Sequence, residues 1–158
     1  MYNHFEYGEY LAGKLIDITE AFDASSQSDP QSMDEKITRI NGGVFVSVDS
    51  KDGMINYSGS ECMSLGSSYI FLVLFPTVSG NPETEKQALE KAKAIAKQIV
   101  KKMMLDFESN LSGLEELDPS SFEIHGVGPL GECHHGVAIV FEVGESFGFK
   151  LDPTMWRE

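Results

Sequence analysis

The chain has 158 residues, of which 41% are hydrophobic, two cysteines and a formal net charge of −13 at pH 7. This length forms one ordinary domain with a core of its own, and two cysteines are too few for a disulfide framework. The charge argues against a nucleic-acid partner because an acidic surface repels phosphates. The longest apolar run, residues 69–75, is too short to span a bilayer, so no membrane partner is expected. The first residues lack a signal-peptide pattern, so we expect synthesis in the reducing cytoplasm.

The first element is predicted to be a helix from residue 4 to about residue 22. Five apolar residues in this stretch recur at helical spacing: Phe5, Leu11, Leu15, Ile18 and Phe22. Gly8 leaves a gap in that apolar face and lowers the helix propensity. Residues 23–33 are polar and are interrupted by Pro30, so they are predicted to form a mobile loop. Residues 35–40 are too short a stretch to assign.

A β-hairpin is predicted next. Three valines alternate along residues 43–48, as they would on one face of a strand. Residues 49–53 end in Asp-Gly, which is typical of a hairpin turn, and residues 54–57 would form the returning strand. Residues 58–68 are rich in Gly and Ser and are predicted to be an irregular connection.

The strand and the helix that follow have the clearest patterns. Residues 69–77 are apolar on both faces, which is typical of a central strand that is covered on both sides. Asn81 and Pro82 suit the cap and the first position of a helix. This helix continues to about Glu108, and its apolar face has nine residues: Ala88, Leu89, Ala92, Ile95, Ala96, Ile99, Val100, Met103 and Phe107.

The remaining residues are predicted to be strands joined by loops. The segments in order are a linker at 111–119, a strand at 122–125, a Gly-rich bend at 126–131, a strand at 137–143, a last strand at 147–151 and a C-terminal tail at 152–158. The whole chain, residues 1–158, is therefore predicted to be a single α+β domain. Its mixed or antiparallel sheet would pack against the long amphipathic helix and the N-terminal helix.

One glycine motif and one cluster of histidine and cysteine are candidate binding sites. Residues 126–131 match the dinucleotide pattern G-x-G-x-x-G, but a strand follows instead of a helix, so we expect a wide hairpin turn. His125, Cys133, His134 and His135 are residue types that bind zinc. Adjacent histidines on a strand point to opposite faces, however, and the chain has no Cys-x-x-Cys pair. No metal site is predicted.

No catalytic residues are predicted either. Cys133 beside His134 or His135 pairs a nucleophile with a base, but the segment shows no third group to orient the base and no positive setting to activate the thiol. We therefore expect neither an enzyme nor a bound cofactor.

Two features are candidate interfaces. The long helix carries six of the 12 basic residues, and Lys93, Lys97 and Lys101 recur on it at every fourth position. The ordinary interpretation is a solvated helix edge, and the alternative is a contact with the acidic face of an identical subunit. Met155 and Trp156 either fold back onto the domain or dock on a partner, since tryptophan is usually at least partly buried.

The order of the predicted elements resembles that of the phage tail-terminator and tail-completion family. The resemblance covers residues 4–151 and is carried by element order, size and acidity, and by the strand at 69–77 followed by the helix that begins at Asn81 and Pro82. Proteins of this family are small α+β proteins that form a ring at the end of the tail tube. The resemblance implies a structural protein of the virion, a hexameric homo-oligomer and contacts with tail-tube or neck proteins.

A second hypothesis is a small-ligand- or metal-binding α+β domain, with enzymatic chemistry as one form of it. Its pocket would lie between the long helix and the sheet, near His125 and Cys133. A ring in solution would favour the assembly protein, whereas a bound metal or a deep polar pocket would favour the binding domain, because scaffolds of this kind host many functions.

Overall fold

A computed structural model describes residues 1–25, 30–59, 62–111 and 113–157. Its helices and strands, in chain order, are α1 (His4–Lys14), β1 (Ile18–Ser25), α2 (Pro30–Thr38), β2 (Gly43–Tyr57), β3 (Met63–Pro76), α3 (Pro82–Glu108), β4 (Glu123–Leu130) and β5 (His134–Phe147). The strands form one sheet in the order β1-β2-β3-β5-β4. β1 is parallel to β2 and the other neighbours are antiparallel, so the predicted α+β class with a mixed sheet is confirmed. None of the described helices is both long and apolar enough to cross a membrane.

Different helices pack on the two faces of the sheet. α1 and α3 lie on one face, called here the α1/α3 face, where Phe45, Phe71 and Ile139 are fully buried. α2 covers part of the other face, called here the α2 face, where Ile37 is fully buried. β3 lies in the middle of the sheet with alternate side chains in each core, as predicted for residues 69–77.

The long helix begins and packs as its sequence predicts. Asn81 Oδ1 accepts a 3.1 Å hydrogen bond from the backbone N–H of Glu83, and Pro82 occupies the first turn, where no intrahelical donor is needed. The buried stripe contains several alanines, such as Ala92 and Ala96, which allow the helix backbone to lie close to the sheet.

The predicted first helix was too long, and the predicted loop at residues 23–33 was wrong where the structure describes it. α1 ends at Lys14, because residues 18–25 form β1 and make parallel ladder hydrogen bonds to β2. The apolar residues at 18 and 22 belong to that strand and not to the helix. Pro30 is the first residue of α2, and residues 26–29 of the predicted loop lie outside the described residues.

The predicted hairpin turn at residues 49–53 was also wrong. β2 continues through it to Tyr57, with a register shift between Asp49 and Gly53. Local hydrogen bonds satisfy this irregular backbone: Lys51 N donates to Asp49 Oδ1 at 2.9 Å, and Ser50 Oγ donates to the carbonyl of Ser68 at 2.6 Å. The chain reverses after Tyr57 instead, so residues 63–68 form the first part of β3 and not an irregular connection.

The last strands also differ in extent from the prediction. The Gly-rich residues 126–130 belong to β4, and the turn of the hairpin lies at residues 131–133. A strand follows this turn, where a dinucleotide site would require a helix. The sequence-based expectation at this position is therefore confirmed. β5 ends at Phe147, and residues 148–152 have no regular secondary structure, so no separate strand forms at 147–151. The two remaining elements are short 3-10 helices, Leu114–Glu116 and Pro153–Met155.

Candidate functional site

Three strands continue past the helices as an extension of the sheet. Residues 53–57 of β2, 63–68 of β3 and 143–147 of β5 form this sheet extension. The helical layer above it ends near Tyr69, where the rings of Tyr2 and His4 pack at centroid distances of 5.2 and 4.7 Å. The six residues from Tyr69 back to Met63 correspond to roughly 20 Å at about 3.3 Å per residue. The extension therefore projects well beyond the α1/α3 layer.

Five apolar side chains share one face of this extension. Residues that lie directly opposite one another in a sheet have side chains on the same face. Ile55 lies opposite Leu65, Tyr57 lies opposite Met63, and Met63 in turn lies opposite Phe147. Alternation along β3 puts all of them on the α1/α3 face, in line with Tyr69 and Phe71. They form the surface called here the apolar surface: Ile55, Tyr57, Met63, Leu65 and Phe147.

The apolar surface is largely uncovered. Ile55 and Tyr57 are 65% and 66% exposed, and Phe147 is 40% exposed. The other face of the extension, apart from Met54, carries mostly small and polar residues: Asn56, Ser64, Gly66, Ser68, Gly144 and Ser146. The face of the apolar surface also carries Glu145, which lies opposite Leu65, and Ser67, and both Met63 and Leu65 are half-buried. The exposed apolar side chains of this face have no covering layer among the described residues, and exposed apolar patches often mark interaction sites.

The β2 edge of the extension lacks a strand partner among the described residues, whereas the β5 edge is bridged at Val143 by Leu117. β1 pairs with β2 only as far as Asp49, and β4 pairs with β5 only from Val140. The backbone of residues 53–57 is therefore a free edge, and no charged side chain lies in this stretch. Free edges are usually protected by charge, proline or a bulge, and here the only such device is the irregular region before Gly53.

The segment from residue 148 to residue 157 lies beside this surface. The ring of Phe149 stacks on Tyr57 at a centroid distance of 6.0 Å. Further along, Leu151, Met155 and Trp156 are exposed, so Met155 and Trp156 do not pack on the domain. Asp152 Oδ1 accepts hydrogen bonds from the backbone N–H and the hydroxyl of Thr154 at 2.9 and 2.7 Å. These hydrogen bonds lower the pKa of Asp152 and hold the short 3-10 helix that follows it.

The predicted lysine row lies on the solvent side of α3. Lys93, Lys97 and Lys101 are exposed, and none forms an ion pair with any described residue. Lys102 on the same helix differs, because its Nζ lies 2.7 Å from the buried carboxylate of Asp106. Three unpaired cations at successive helical turns form a row about 12 Å long at 1.5 Å rise per residue.

Exposed carboxylates cluster at the β1 edge of the molecule. They are Glu6 and Glu9 of α1 and Asp23 of β1, whereas Glu20 of β1 lines a different hollow together with Lys36 and Arg39. Burial raises the pKa of Asp23, and the nearby charge of Glu9 raises it further. The molecule therefore has a row of unpaired cations on α3 and a group of anions, called here the acidic edge, on α1 and β1.

The structure does not assemble the histidine and cysteine residues into one site. His134 Nε2 lies 3.1 Å from the carbonyl of Ile40 on the α2 face, whereas His135 Nδ1 lies 3.0 Å from Thr77 Oγ1 on the other face. The expectation that these two rings point in opposite directions is confirmed. His125 instead contacts Glu123 at 3.0 Å. Across the described ranges, no group of three His, Cys, Asp or Glu side chains is placed to hold a metal ion.

The core fills the space between the middle of α3 and the sheet, where Ala92, Ala96 and Ile139 are fully buried. A hollow of about 420 Å³ lies between the first turns of α3 and the end of β3, where Thr77, Ala88 and Lys91 line it. A second hollow of about 420 Å³ lies beside Tyr7 and Tyr10 of α1.

The sequence patterns missed two of the five residues of the apolar surface. Met63 and Leu65 lie in a stretch whose Gly and Ser content indicated a connection. They are nevertheless in phase with Tyr69 and Phe71, two residues apart along the same face. This continuing period of two was the available indication that β3 begins earlier than residue 69.

These features define an α+β domain with an apolar sheet extension and two oppositely charged surface regions. No protein-family model and no curated protein matches the chain.

Proposed function

We propose that the protein is a non-catalytic assembly protein that associates with further copies of itself. The uncovered apolar surface of the sheet extension carries this proposal. Folding leaves Ile55 and Tyr57 about two-thirds exposed on the face that the strand pattern would bury. Covering such a surface with another protein removes apolar area from water, and this burial is the main favourable term in most protein association.

The charge distribution supports contacts between different surfaces of neighbouring copies. Lys93, Lys97 and Lys101 on α3 form no ion pair with a described residue, whereas the acidic edge carries its anions on α1 and β1. A contact between two different surfaces of identical subunits is head-to-tail, and such contacts generate a ring when the rotation closes. Complementary charges would also orient the two subunits as they meet.

This arrangement agrees with the role that the resemblance to phage tail terminators implies. In that role the copies form a ring, hexameric in the family, which contacts tail-tube or neck proteins and becomes part of the virion after synthesis in the cytoplasm. The net charge of −13 favours protein partners over nucleic acid.

The experiment that tests self-association is light scattering of the purified protein over a concentration series. We expect a mass several times that of one chain at about 0.1 M salt and a smaller mass at about 1 M salt, where the Debye length falls from about 10 Å to about 3 Å. A single-chain mass at both salt concentrations and at every protein concentration would contradict the proposal.

A further inference from the structure

The free edge of β2 ends the sheet extension on one side. Residues 53–57 of this edge have no strand partner beyond β3 among the described residues, and they carry no charge. Ile55 and Tyr57 on it are about two-thirds exposed. An edge of this kind presents a row of backbone donors and acceptors that another strand can bind. The chemistry of the edge therefore specifies an extended polypeptide strand as its occupant.

The turn that joins β2 to β3 shows which backbone groups face outward. The N–H of Ser58 donates a 3.0 Å hydrogen bond to the carbonyl of Cys62, so these two residues form a hydrogen-bonded pair. Hydrogen-bonded and non-hydrogen-bonded pairs alternate along an antiparallel ladder. Counted back from Ser58, the pairs that Gly53, Ile55 and Tyr57 make with β3 are non-hydrogen-bonded. The N–H and C=O groups of these three residues therefore point away from β3, toward the free edge.

We propose that two copies of the chain join their free β2 edges as antiparallel strands about a twofold axis at Ile55. This inference rests on the self-association proposed above and adds a second kind of contact to it. Ile55 then faces Ile55 of the other copy, and Gly53 of each copy faces Tyr57 of the other. All three outward-facing residues form hydrogen-bonded pairs in this register, and three such pairs supply about six hydrogen bonds.

The backbone conformation places the axis at Ile55. Lys51 and Gly59 have φ angles of 63° and 83°, in the left-handed region, so the extended stretch of this edge is residues 52–58. Lys51 and Gly59 lie four positions before and four positions after Ile55. An axis at Ile55 therefore lays the whole extended stretch of one copy beside that of the other. An axis one residue away would put an outward-facing residue opposite Lys51 or Gly59, where the strand has ended.

The side chains of the stretch select an identical strand as the occupant. Tyr57 faces Gly53 of the other copy, and an aromatic ring beside a strand glycine covers the backbone that the glycine exposes. Ile55 meets its own counterpart on the α1/α3 face, which the two copies share on the same side of the joined sheet. The only charged residue of the stretch is Asp52, which faces Ser58, so no like charges lie opposite one another. A second copy therefore supplies a strand of matching length, symmetry and charge.

The shape of the described chain leaves room for this pairing. β1 pairs with β2 only as far as Asp49. The helical layer ends near Tyr69, which lies opposite Asp49 in the ladder. An antiparallel second strand places the body of its own copy beyond the tip of the first extension. The two helical layers therefore lie at opposite ends of the joined extensions and do not meet.

Salt separates this contact from the head-to-tail contact. Backbone hydrogen bonds do not depend on attraction between the charged surfaces, and high salt screens the repulsion between two chains of charge −13. Light scattering of concentrated wild-type protein in about 1 M salt should therefore give the mass of two chains. A single-chain mass there, with a larger mass at about 0.1 M salt, would leave self-association standing and overturn the edge pairing. A single-chain mass in both would overturn the proposed function as well.

A proline at the axis tests the outward-facing N–H. Ile55→Pro removes a donor that β3 does not use, so the ladder within the chain remains while the pairing between copies is blocked. We expect the variant to have the mass of one chain in about 1 M salt. An Ile55→Pro variant that keeps the wild-type circular dichroism and the mass of two chains would overturn the proposal.

Ser146→Pro is the matched control on the opposite edge of the extension. The N–H of Thr77 donates a 2.7 Å hydrogen bond to the carbonyl of Cys133, which fixes the alternation along β3 and β5. Ser146 therefore forms a non-hydrogen-bonded pair with Ser64, and its N–H points away from β3. This variant should keep the mass of two chains. An equal loss of mass in both proline variants would show that the β2 edge has no special part in the pairing.

A charge exchange tests the twofold axis without proline. Ile55→Lys and Ile55→Glu each place like charges opposite one another at the axis, whereas a mixture of the two chains places lysine opposite glutamate. The measurement uses about 0.1 M salt and chains in which Lys93, Lys97 and Lys101 are changed to Gln, so that the row makes no head-to-tail contact. Each variant alone should have the mass of one chain, and the mixture should recover the mass of two. A mixture that stays at one chain, while the same background with Ile55 forms pairs, would overturn the twofold pairing.

Discussion

The hydroxyl of Tyr7 donates a 2.7 Å hydrogen bond to Oδ2 of Asp106 and thereby joins α1 to α3. Asp106 is 2% exposed, and its other oxygen accepts a 2.7 Å hydrogen bond from Lys102 Nζ. Burial raises the pKa of Tyr7 well above its usual range, and the hydrogen bond and charge of Asp106 raise it further. The phenol therefore remains a donor at ordinary pH, and both oxygens of a buried carboxylate have partners.

Replacing Tyr7 by Phe should lower the free energy of unfolding by about 1–3 kcal/mol, because one oxygen of the buried carboxylate loses its partner while the ring packing remains. Urea unfolding measures the difference. Tyr57→Phe is the matched control, since the Tyr57 hydroxyl is exposed and has no hydrogen-bond partner among the described residues. It should change stability by less than about 0.5 kcal/mol. Equal stability of the Tyr7→Phe variant and the wild-type chain would contradict a structural role for this bond.

A second prediction concerns Gly8, where the backbone of α1 lies close to the sheet. A Cβ atom at this position would overlap Ser47 Oγ and would also lie 3.1 Å from a ring carbon of Phe71. Gly8→Ala should therefore destabilise the protein by about 1–3 kcal/mol, although alanine favours helices. Ser47→Ala removes the clashing oxygen, so the double variant should recover part of this loss, with a coupling of at least about 0.5 kcal/mol. Urea unfolding of the two single variants and the double variant gives that coupling, and additive effects would exclude the steric explanation.

Gly8 also shows what the sequence could and could not predict about the fold. Periodicity predicted the central part of β3 and nearly the whole of α3, because in each case one element buries its own regular pattern, whereas it extended the first helix about eight residues beyond the end of α1 at Lys14. Gly8 was treated as a gap in a helical face, whereas in the structure it lies so close to β2 that a Cβ atom would overlap Ser47. Single-sequence patterns do not show such contacts, because they depend on a residue 39 positions away in the chain.

The candidate site was harder to predict for a similar reason. Helical spacing alone predicted the row formed by Lys93, Lys97 and Lys101. The three side chains are exposed, as they would be on a solvated helix edge. The apolar surface depends instead on the register between three strands, which shifts between Asp49 and Gly53. Asp-Gly indicated a turn there, but hydrogen bonds from Lys51 and Ser50 stabilise an irregular continuation of the strand. The turn pattern was local, and the long-range pairing with β3 outweighed it.

His4 is a buried histidine whose two ring nitrogens both have partners. Nε2 lies 3.0 Å from the carbonyl of Ile70 and must donate to it, so Nδ1 accepts a 2.8 Å hydrogen bond from the hydroxyl of Tyr2. The ring stacks on Tyr69 and Phe71 at centroid distances of 4.7 and 4.5 Å. Burial lowers the pKa of His4 from 6.5 to about 4, against the smaller opposing effect of the Ile70 hydrogen bond.

Stability should therefore fall as the pH is lowered from about 6.5 to about 4. In this range the unfolded chain binds a proton at His4 and the folded chain does not, so protonation favours unfolding, and the effect ends below the folded pKa. The full loss is roughly 3 kcal/mol at 1.36 kcal/mol per pKa unit. Urea unfolding of the wild-type chain and His4→Phe at several pH values isolates this contribution, because all other groups are shared. The difference in unfolding free energy between them should shrink toward pH 4; a difference that is constant with pH would refute the prediction.

The start of α3 offers a test of helix capping. The side chain of Asn81 accepts the hydrogen bond of the Glu83 N–H, which has no partner within the helix. Asn81→Ala should lower the free energy of unfolding by about 1 kcal/mol. Asn81→Asp should keep most of the stabilisation that the cap contributes, because aspartate caps equally well. Thermal or urea unfolding of both variants and the wild-type chain measures these changes in stability. If alanine and aspartate have the same effect, the cap makes no measurable contribution.

The last prediction concerns the lysine row in self-association. Changing Lys93, Lys97 and Lys101 to Gln removes three positive charges and takes the formal net charge from −13 to −16. The control changes Lys14, Lys36 and Arg39 to Gln, which gives the same net charge but leaves the row intact. We expect the first variant at about 0.1 M salt to show the smaller mass that the wild-type chain shows at about 1 M salt, because both conditions remove the attraction between the row and the acidic edge. The control should keep the wild-type mass at low salt. An equal loss in both variants would mean that general repulsion between acidic subunits, and not the row, governs the salt dependence.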